Sequence, residues 1–148
     1  MVDSVSLSDY QALADIRYRI RCFVNFSEAC ARDVGLEPQQ HQLLLAIRGL
    51  PDGLVPTIRC LAERLQIEHN SAVELVRRCV ANDLVVKRAS ERDGREVVVT
   101  IAPKGARLLE KLARAHRREL RSMAPLLIDA VEVVVNGGRP KRRRKAAS

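Results

Sequence analysis

LAERLQIEHNSAVELVRRCVANDLVVKRASERDGREVVVTIAPKG, residues Leu61 to Gly105, decides the fold. It opens inside a short helical segment, IRCLAERL, for which Thr57 is the expected cap. The tight connection QIEHN leads into a second helical segment, NSAVELVRRCVANDL. Two short helices joined this way form a helix-turn-helix, in which the first braces and the second is presented to a groove. An apolar run from Val85 then breaks into the charged turn ERDGRE and resumes as REVVVTI, a strand whose three consecutive valines suit packing against helices. Asp93-Gly94 is a standard hairpin-turn pair, because glycine tolerates positive φ and aspartate tolerates tight turns.

A turn alone does not account for Arg88, Arg92 and Arg95 around it. A helix-turn-helix followed by a cation-tipped hairpin is a winged helix: the second helix enters the major groove and the wing reaches the flanking backbone or the minor groove, whose narrow A/T-rich stretches attract guanidinium groups. Asp93 is then expected to orient Arg95 by holding its guanidinium in a fixed fork. The alternative is a solubilising edge charge. Groove candidates are His69, Asn70 and Ser71 at the start of the second helix, then Arg77 or Arg78. Asparagine bonds adenine in a bidentate way, whereas serine and histidine serve bases or phosphates. Val73, Leu75, Val76 and Val80 are expected to face the core.

Outward from this centre the chain is helical. Upstream, SDYQ at Ser8 has capping-box spacing, and Leu13, Ile16, Ile20, Phe23 and Val24 follow at helical intervals until Gly35. A second stripe, Tyr18, Cys22, Phe26 and Ala29, gives this helix two apolar faces, and one of them is expected to pack on another subunit. Pro38 is placed to start a further helix. Downstream of Pro103, Leu109, Leu112, His116, Leu120 and Met123 form an apolar seam, while Arg107, Lys111, Arg114, Arg118 and Arg121 form a basic ridge that is assigned no role. Pro125 is expected to break this helix before a final segment, LLIDAVEVVV, that reads equally as helix or strand.

The net charge of +8 is unevenly placed: the tail Arg139, Lys141, Arg142, Arg143, Arg144 and Lys145 holds six of 26 bases, leaving 20 against 18 acids elsewhere. Such a tail is expected to be a nonspecific phosphate grip that orders only on a polyanion. Aromatics at 3% without Trp mean an aliphatic core. No stretch has the length or apolarity of a membrane span and the N-terminus lacks a signal-peptide pattern, so a cytoplasmic protein is expected. Cys22, Cys30, Cys60 and Cys79 show no metal-ligand or disulfide spacing, which points to packing roles, with Cys22 the candidate oxidant sensor. His116 and His41 read as hydrogen-bonding rather than metal-ligating residues. No cofactor or metal is implied, and the absence of a glycine-rich phosphate loop, paired carboxylates or a nucleophile motif excludes the common enzyme classes.

The order of elements, the Asp93-x-Arg95 turn, the run VVVTIAPKG and the upstream LAERLQIEHNSAVELVRRCVANDLV resemble the multiple-antibiotic-resistance regulator (MarR) family of bacterial transcription factors, over Leu7 to about Met123. Where that family favours Leu-Thr-x-x-Gly after the wing, this chain has Ile101, Ala102, Pro103, Lys104, Gly105. Glu68 stands where the family often has a capping Ser or Thr, Glu74 where a basic residue is common, and Asp83 where Gly commonly ends the recognition helix. Asn82-Asp83 still accommodates a left-handed turn. Glu74 either caps, at capping-box spacing from Ser71, or reads cytosine N4.

The resemblance implies a mostly α fold with a small β-hairpin wing. It divides into an N-terminal dimerisation helix (7–35), a winged helix-turn-helix DNA-binding domain (36–102), C-terminal dimerisation helices (103–136) and a basic tail (137–148). It also implies a homodimer on successive major grooves of a pseudo-palindromic double-stranded DNA operator, associated with the bacterial nucleoid. A repressor released by a small aromatic or anionic ligand, or by an oxidant, is the expected function. A DNA-coating architectural protein and a winged-helix assembly module are the alternatives.

Overall fold

The computed structural model describes residues 4–137 and is mostly helical with one two-stranded hairpin. The described residues divide into two compact units, one of residues 4–27 with 116–137 and one of residues 28–115.

In the first unit, α1 (Leu7–Asp33) starts at a reciprocal cap. The Ser6 amide and hydroxyl donate to Asp9 Oδ2 at 2.8 and 2.7 Å, and the Asp9 amide donates to Ser6 Oγ at 3.2 Å. The box therefore lies two residues ahead of the expected Ser8 position, because the short Asp9 carboxylate reaches both Ser6 donors, and these bonds hold its carboxyl below the usual value. The other helix, α5 (Pro103–Val135), runs straight through Pro125, contrary to the expected break. Pro125 is exposed, while His116, Met123, Leu127, Ala130 and Val133 continue a half-buried to buried stripe at helical spacing on the other side. The lost amide therefore faces outward, and side-chain burial on both sides of the proline offsets its helix-interior cost of about 3 kcal/mol. Ser8, Ala12, Asp15 and Arg19 of α1 and Leu126, Ala130 and Val133 of α5 line a shared open groove of about 340 Å³. His116 Nε2 lies 2.8 Å from Ser27 Oγ, and its ring is edge-on to Phe23 and Phe26, so it is a hydrogen-bonding residue of an aromatic cluster.

In the second unit, α1 ends at Gly35, whose φ of +81° suits the missing Cβ. Pro38 occupies the first turn of α2 (Pro38–Arg48), with Glu37 and Gln40 forming a capping box. The Thr57 hydroxyl accepts the Cys60 amide at 3.1 Å and caps α3 (Ile58–Leu65). Gln66 turns the chain at φ +54° into α4 (His69–Ala81), which Asp83 leaves at φ +58° in the anticipated left-handed turn. Leu43, Leu44, Leu61, Leu75, Val76, Cys79, Leu84, Val85 and Val99 form an aliphatic core, joined by Ala31 and Leu36 before it and by Leu109 and Leu112 after it. The winged-helix core thus draws on α1 and α5 as well as on residues 36–102.

The hairpin pairs β1 (Val85–Ala89) with β2 (Val97–Ile101), Val85 opposite Ile101 and Lys87 opposite Val99. It is not left to itself. Thr57 bridges Val98, and the Val99 amide donates to the Pro56 carbonyl at 2.9 Å, so the middle of β2 gains a third short edge. Beyond β2 the Ala102 amide donates to the Leu84 carbonyl at 3.0 Å. Gly105 packs so closely there that a Cβ would fall 2.2 Å from the Leu84 oxygen, so the glycine at this position is a steric requirement.

Candidate nucleic-acid interface

Helix α4 separates a buried from an open face cleanly. Ala72, Leu75, Val76 and Cys79 are buried, and Asn70, Val73, Glu74 and Arg77 form an exposed strip at i, i+3, i+4 and i+7. Val73 is 42% exposed, so it is not the core residue expected from its apolarity. Its position three residues after Asn70 and four before Arg77 was the available signal. His69, Asn70 and Ser71 lie exposed in the first turn of α4, as expected.

The two arginines of α4 have different surroundings. Arg78 turns back: its Nε donates to Glu37 Oε2 at 3.1 Å and its Nη2 to Gln39 Oε1 at 3.4 Å, at the start of α2. Arg77 stays on the exposed strip and donates through Nε to Glu74 Oε2 at 2.9 Å and through Nη2 to Glu74 Oε1 at 2.5 Å. Each partner favours the charged form of the other, holding the Glu74 carboxyl below and the Arg77 guanidinium above their ordinary ranges. Glu74 does not cap: α4 begins at His69, which puts Ser71 inside the helix, and the Glu74 carboxylate is taken by Arg77.

The wing carries its cations outside the core. Arg88, Arg92 and Arg95 are all exposed. Arg88 lies along β1 with Nη2 donating to Thr100 Oγ1 at 3.3 Å, whereas Arg92 and Arg95 are in the tip. Asp93 acts differently from the expected guanidinium fork. Its Oδ1 accepts the Arg95 backbone amide at 3.0 Å, and its carbonyl accepts the Glu96 amide at 3.0 Å. A carboxylate two residues before an amide closes a local turn with less ordering than a full arginine pairing needs, so Asp93 shapes the backbone that carries Arg95. Gly94 is not at positive φ, so its place in this turn rests on other grounds than left-handed tolerance. Arg59 and Arg64 on α3 are further exposed cations that the sequence reading did not single out.

Of the four cysteines only Cys79 is buried, and burial pushes its thiol up to about 12. Cys22 is exposed on α1, correcting the expectation of buried packing, and interaction with its thiol raises the Tyr18 hydroxyl above its ordinary value. Among the described residues no cluster of three or more His, Cys, Asp or Glu has the arrangement to hold a metal ion, and no helix is long and apolar enough to cross a membrane. The basic tail from Arg139 lies outside the described residues.

Residues 34–96 match a sequence model described as the MarR family. Solved structures share the fold at low identity. AbsC, a MarR family transcriptional regulator from Streptomyces coelicolor, aligns at 15% identity and TM-score 0.68 over 90% of this chain and 95% of its own. A MarR family protein from Bacillus stearothermophilus aligns at 19% identity and TM-score 0.69 over 90% and 92%. A mutant MarR from E. coli, complexed with operator DNA, aligns at 17% identity and TM-score 0.64 over 84% and 91%. No curated protein matches the chain in sequence.

Proposed function

We propose that this chain, whose residues 34–96 match the MarR family model and whose fold resembles solved MarR-family structures, is a homodimeric, sequence-specific DNA-binding transcriptional regulator. The observation that carries the reading is the exposed strip Asn70, Val73, Glu74, Arg77 on a helix packed against an arginine-bearing hairpin. An amide, an aliphatic side chain and a guanidinium along one helix face supply the adenine, thymine-methyl and guanine contacts of major-groove readout. Arg88, Arg92 and Arg95 supply the phosphate or minor-groove contacts that position it. His69 and Ser71 sit at the helix start, where backbone amides and short side chains meet phosphate. Arg78, engaged with Glu37 and Gln39, serves the α2–α4 junction instead.

Dimerisation is supported by the large apolar side chains left exposed on the two long helices, among them Tyr10, Leu13, Ile20 and Val24 on α1 and Leu126, Ile128 and Val131 on α5. The E. coli neighbour complexed with operator DNA, and a mutant S. aureus MepR bound to an oligodeoxyribonucleotide, put the same fold on DNA in those proteins. Repression relieved by an effector completes the proposal. An open crevice of about 410 Å³ is lined by Arg48, Arg107, Ala106, Leu109, Ala113 and Glu110, whose two guanidinium groups offer partners to a small aromatic acid beside the one carboxylate, and Cys22 beside Tyr18 is the thiol open to oxidants. The basic tail is a nonspecific grip in a cytoplasmic, nucleoid-associated protein.

The test is selection of bound sequences from a random duplex pool at physiological salt, with the full chain and a form ending at Gly138. Recovery of one inverted repeat by both forms, with half-sites about one helical turn apart, is the expected result. Recovery of unpatterned A/T-biased DNA by the full chain alone would leave a DNA-coating protein instead.

A further inference from the structure

On a DNA-reading helix a carboxylate at the centre of the exposed strip is an electrostatic penalty: it faces a polyanion and repels it. Glu74 sits there, 51% exposed, with Arg77 beside it at 62%. The geometry of their contact resolves the paradox. A guanidinium has two edges that make paired hydrogen bonds, the Nε/Nη2 edge and the Nη1/Nη2 edge. Glu74 occupies the first, through Nε to Oε2 and Nη2 to Oε1. The second edge, which presents two parallel donors suited to guanine O6 and N7, carries no bond to Glu74.

The pair also has a neutral net charge, whereas exposed cations lie elsewhere in the unit, Arg88, Arg92 and Arg95 on the wing and Arg59 and Arg64 on α3. An unpaired arginine on a flexible stem would swing to the nearest phosphate and bind any sequence. One fixed by a carboxylate one helical turn back loses that option. Val73, adjacent to Glu74 on the strip, places methyl groups where a thymine C5-methyl would meet them.

We infer that Glu74 is a positioning and specificity-determining residue: it holds the Nε/Nη2 edge of Arg77 so that the Nη1/Nη2 edge reads a guanine in each half-site, and it withholds Arg77 from phosphate. The inference rests on the DNA-binding reading above and adds the base class, the reading atom and the residue that directs it.

The experiment uses the full chain and its E74Q, R77A and R77K variants. Each is put through the same duplex selection, then titrated against the selected operator and against an unrelated duplex of equal length over a range of salt. Wild-type protein selects a guanine in each half-site, and R77A and R77K lose preference for it by about 5- to 150-fold, the range of one bidentate base contact. E74Q loses much of the same preference at the same position, yet binds the unrelated duplex at least as tightly as wild type, and its salt dependence steepens by about one phosphate contact as Arg77 turns to the backbone.

A purely structural role for Glu74 would lower binding to both duplexes together, with unchanged preference and salt slope, and would overturn the inference. So would loss of preference for a cytosine in E74Q while the Arg77-dependent guanine is retained, because Glu74 would then be reading a base itself. A wild-type chain that selects no sequence at all overturns the proposed function instead, a different and recognisable failure.

Discussion

Replacing Gly105 with alanine tests a close backbone approach in the winged-helix unit. An added Cβ would lie 2.2 Å from the Leu84 carbonyl oxygen and 3.1 Å from both the Leu84 carbonyl carbon and Leu44 Cδ2. A carbon rests against a carbonyl oxygen at about 3.3 Å, so one backbone must retreat by about 1 Å. The Leu84 carbonyl is not free to do so, because it accepts the Ala102 amide at 3.0 Å and Leu84 itself is fully buried. Overpacking of this kind costs about 1–3 kcal/mol, and weakening the Ala102 hydrogen bond adds about 1 kcal/mol. Alanine returns up to about 1 kcal/mol in helix propensity, so a net loss of about 2 kcal/mol is expected. For a chain of this size that lowers the melting temperature by about 4–8 °C. The assay is thermal and urea unfolding followed by far-ultraviolet circular dichroism, at one fixed protein concentration so that the proposed dimerisation contributes equally to each variant. Gly94→Ala is the internal control: nothing lies within 4 Å of its added Cβ, and its φ is not positive. It should stay within about 0.5 kcal/mol of wild type. A Gly105→Ala protein as stable as wild type, or more so, would refute the steric argument, since propensity alone would then govern the site.

Other expectations follow from single contacts. Thr57→Ala removes the acceptor of the Cys60 amide and should cost about 1 kcal/mol in urea unfolding, whereas Thr57→Ser should retain most of it. At the wing, Asp93→Asn keeps an oxygen for the Arg95 amide and should bind operator like wild type, while Asp93→Ala should weaken binding by about 2- to 5-fold; equal losses in both would mean that the negative charge, and not the turn, matters. The Cys79 thiol stands at about 12 in the fold against 9.0 ordinarily, so its contribution to stability is complete below pH 9 and disappears as pH rises from 9 towards 12. Stability measured across that interval should therefore fall more steeply for wild type than for Cys79→Ala, and parallel slopes would exclude a titrating Cys79. In native protein a thiol reagent should label Cys22 and spare Cys79 until denaturant is added, a pattern read by peptide mass analysis.

The sequence disclosed the parts whose signals are local. Thr57, Pro38 and Gly35 mark helix boundaries by their own chemistry, and the alternation of helical and extended patterns between Leu61 and Ile101 was enough to order the elements of the winged helix. What it hid depends on neighbours distant in sequence. The Glu74–Arg77 pair is local, at i and i+3, but nothing local says that Arg78 turns away to Glu37 and Gln39, because the rotation of α4 is fixed by what Leu75, Val76 and Cys79 pack against. Val73 looks like its core neighbours in composition and differs only in angle. Pro125 was misleading for a related reason: the penalty of a proline is local, but the burial that overrides it is distributed along the helix on either side. Asp93 reads from the sequence as an orienter of the Arg95 guanidinium, whereas its partner is the Arg95 backbone amide, which leaves no trace in a sequence of side chains.

The stitch between Pro56-Thr57 and the middle of β2 has a mechanical meaning. It pins the paired strands of the wing to the residue that starts α3, and β1 is continuous with the end of α4 through the Asp83 turn, so the hairpin behaves as a clamp jaw riveted to the body, with the tip from Ser90 to Glu96 projecting beyond the rivet. On the proposed DNA-binding reading, backbone grip and base reading would then be geared together, a half-site being engaged by the jaw and the helix in one stroke or by neither. A force that tilts this unit would disengage both at once, and release would be abrupt where a wing on a loose joint would let go in stages.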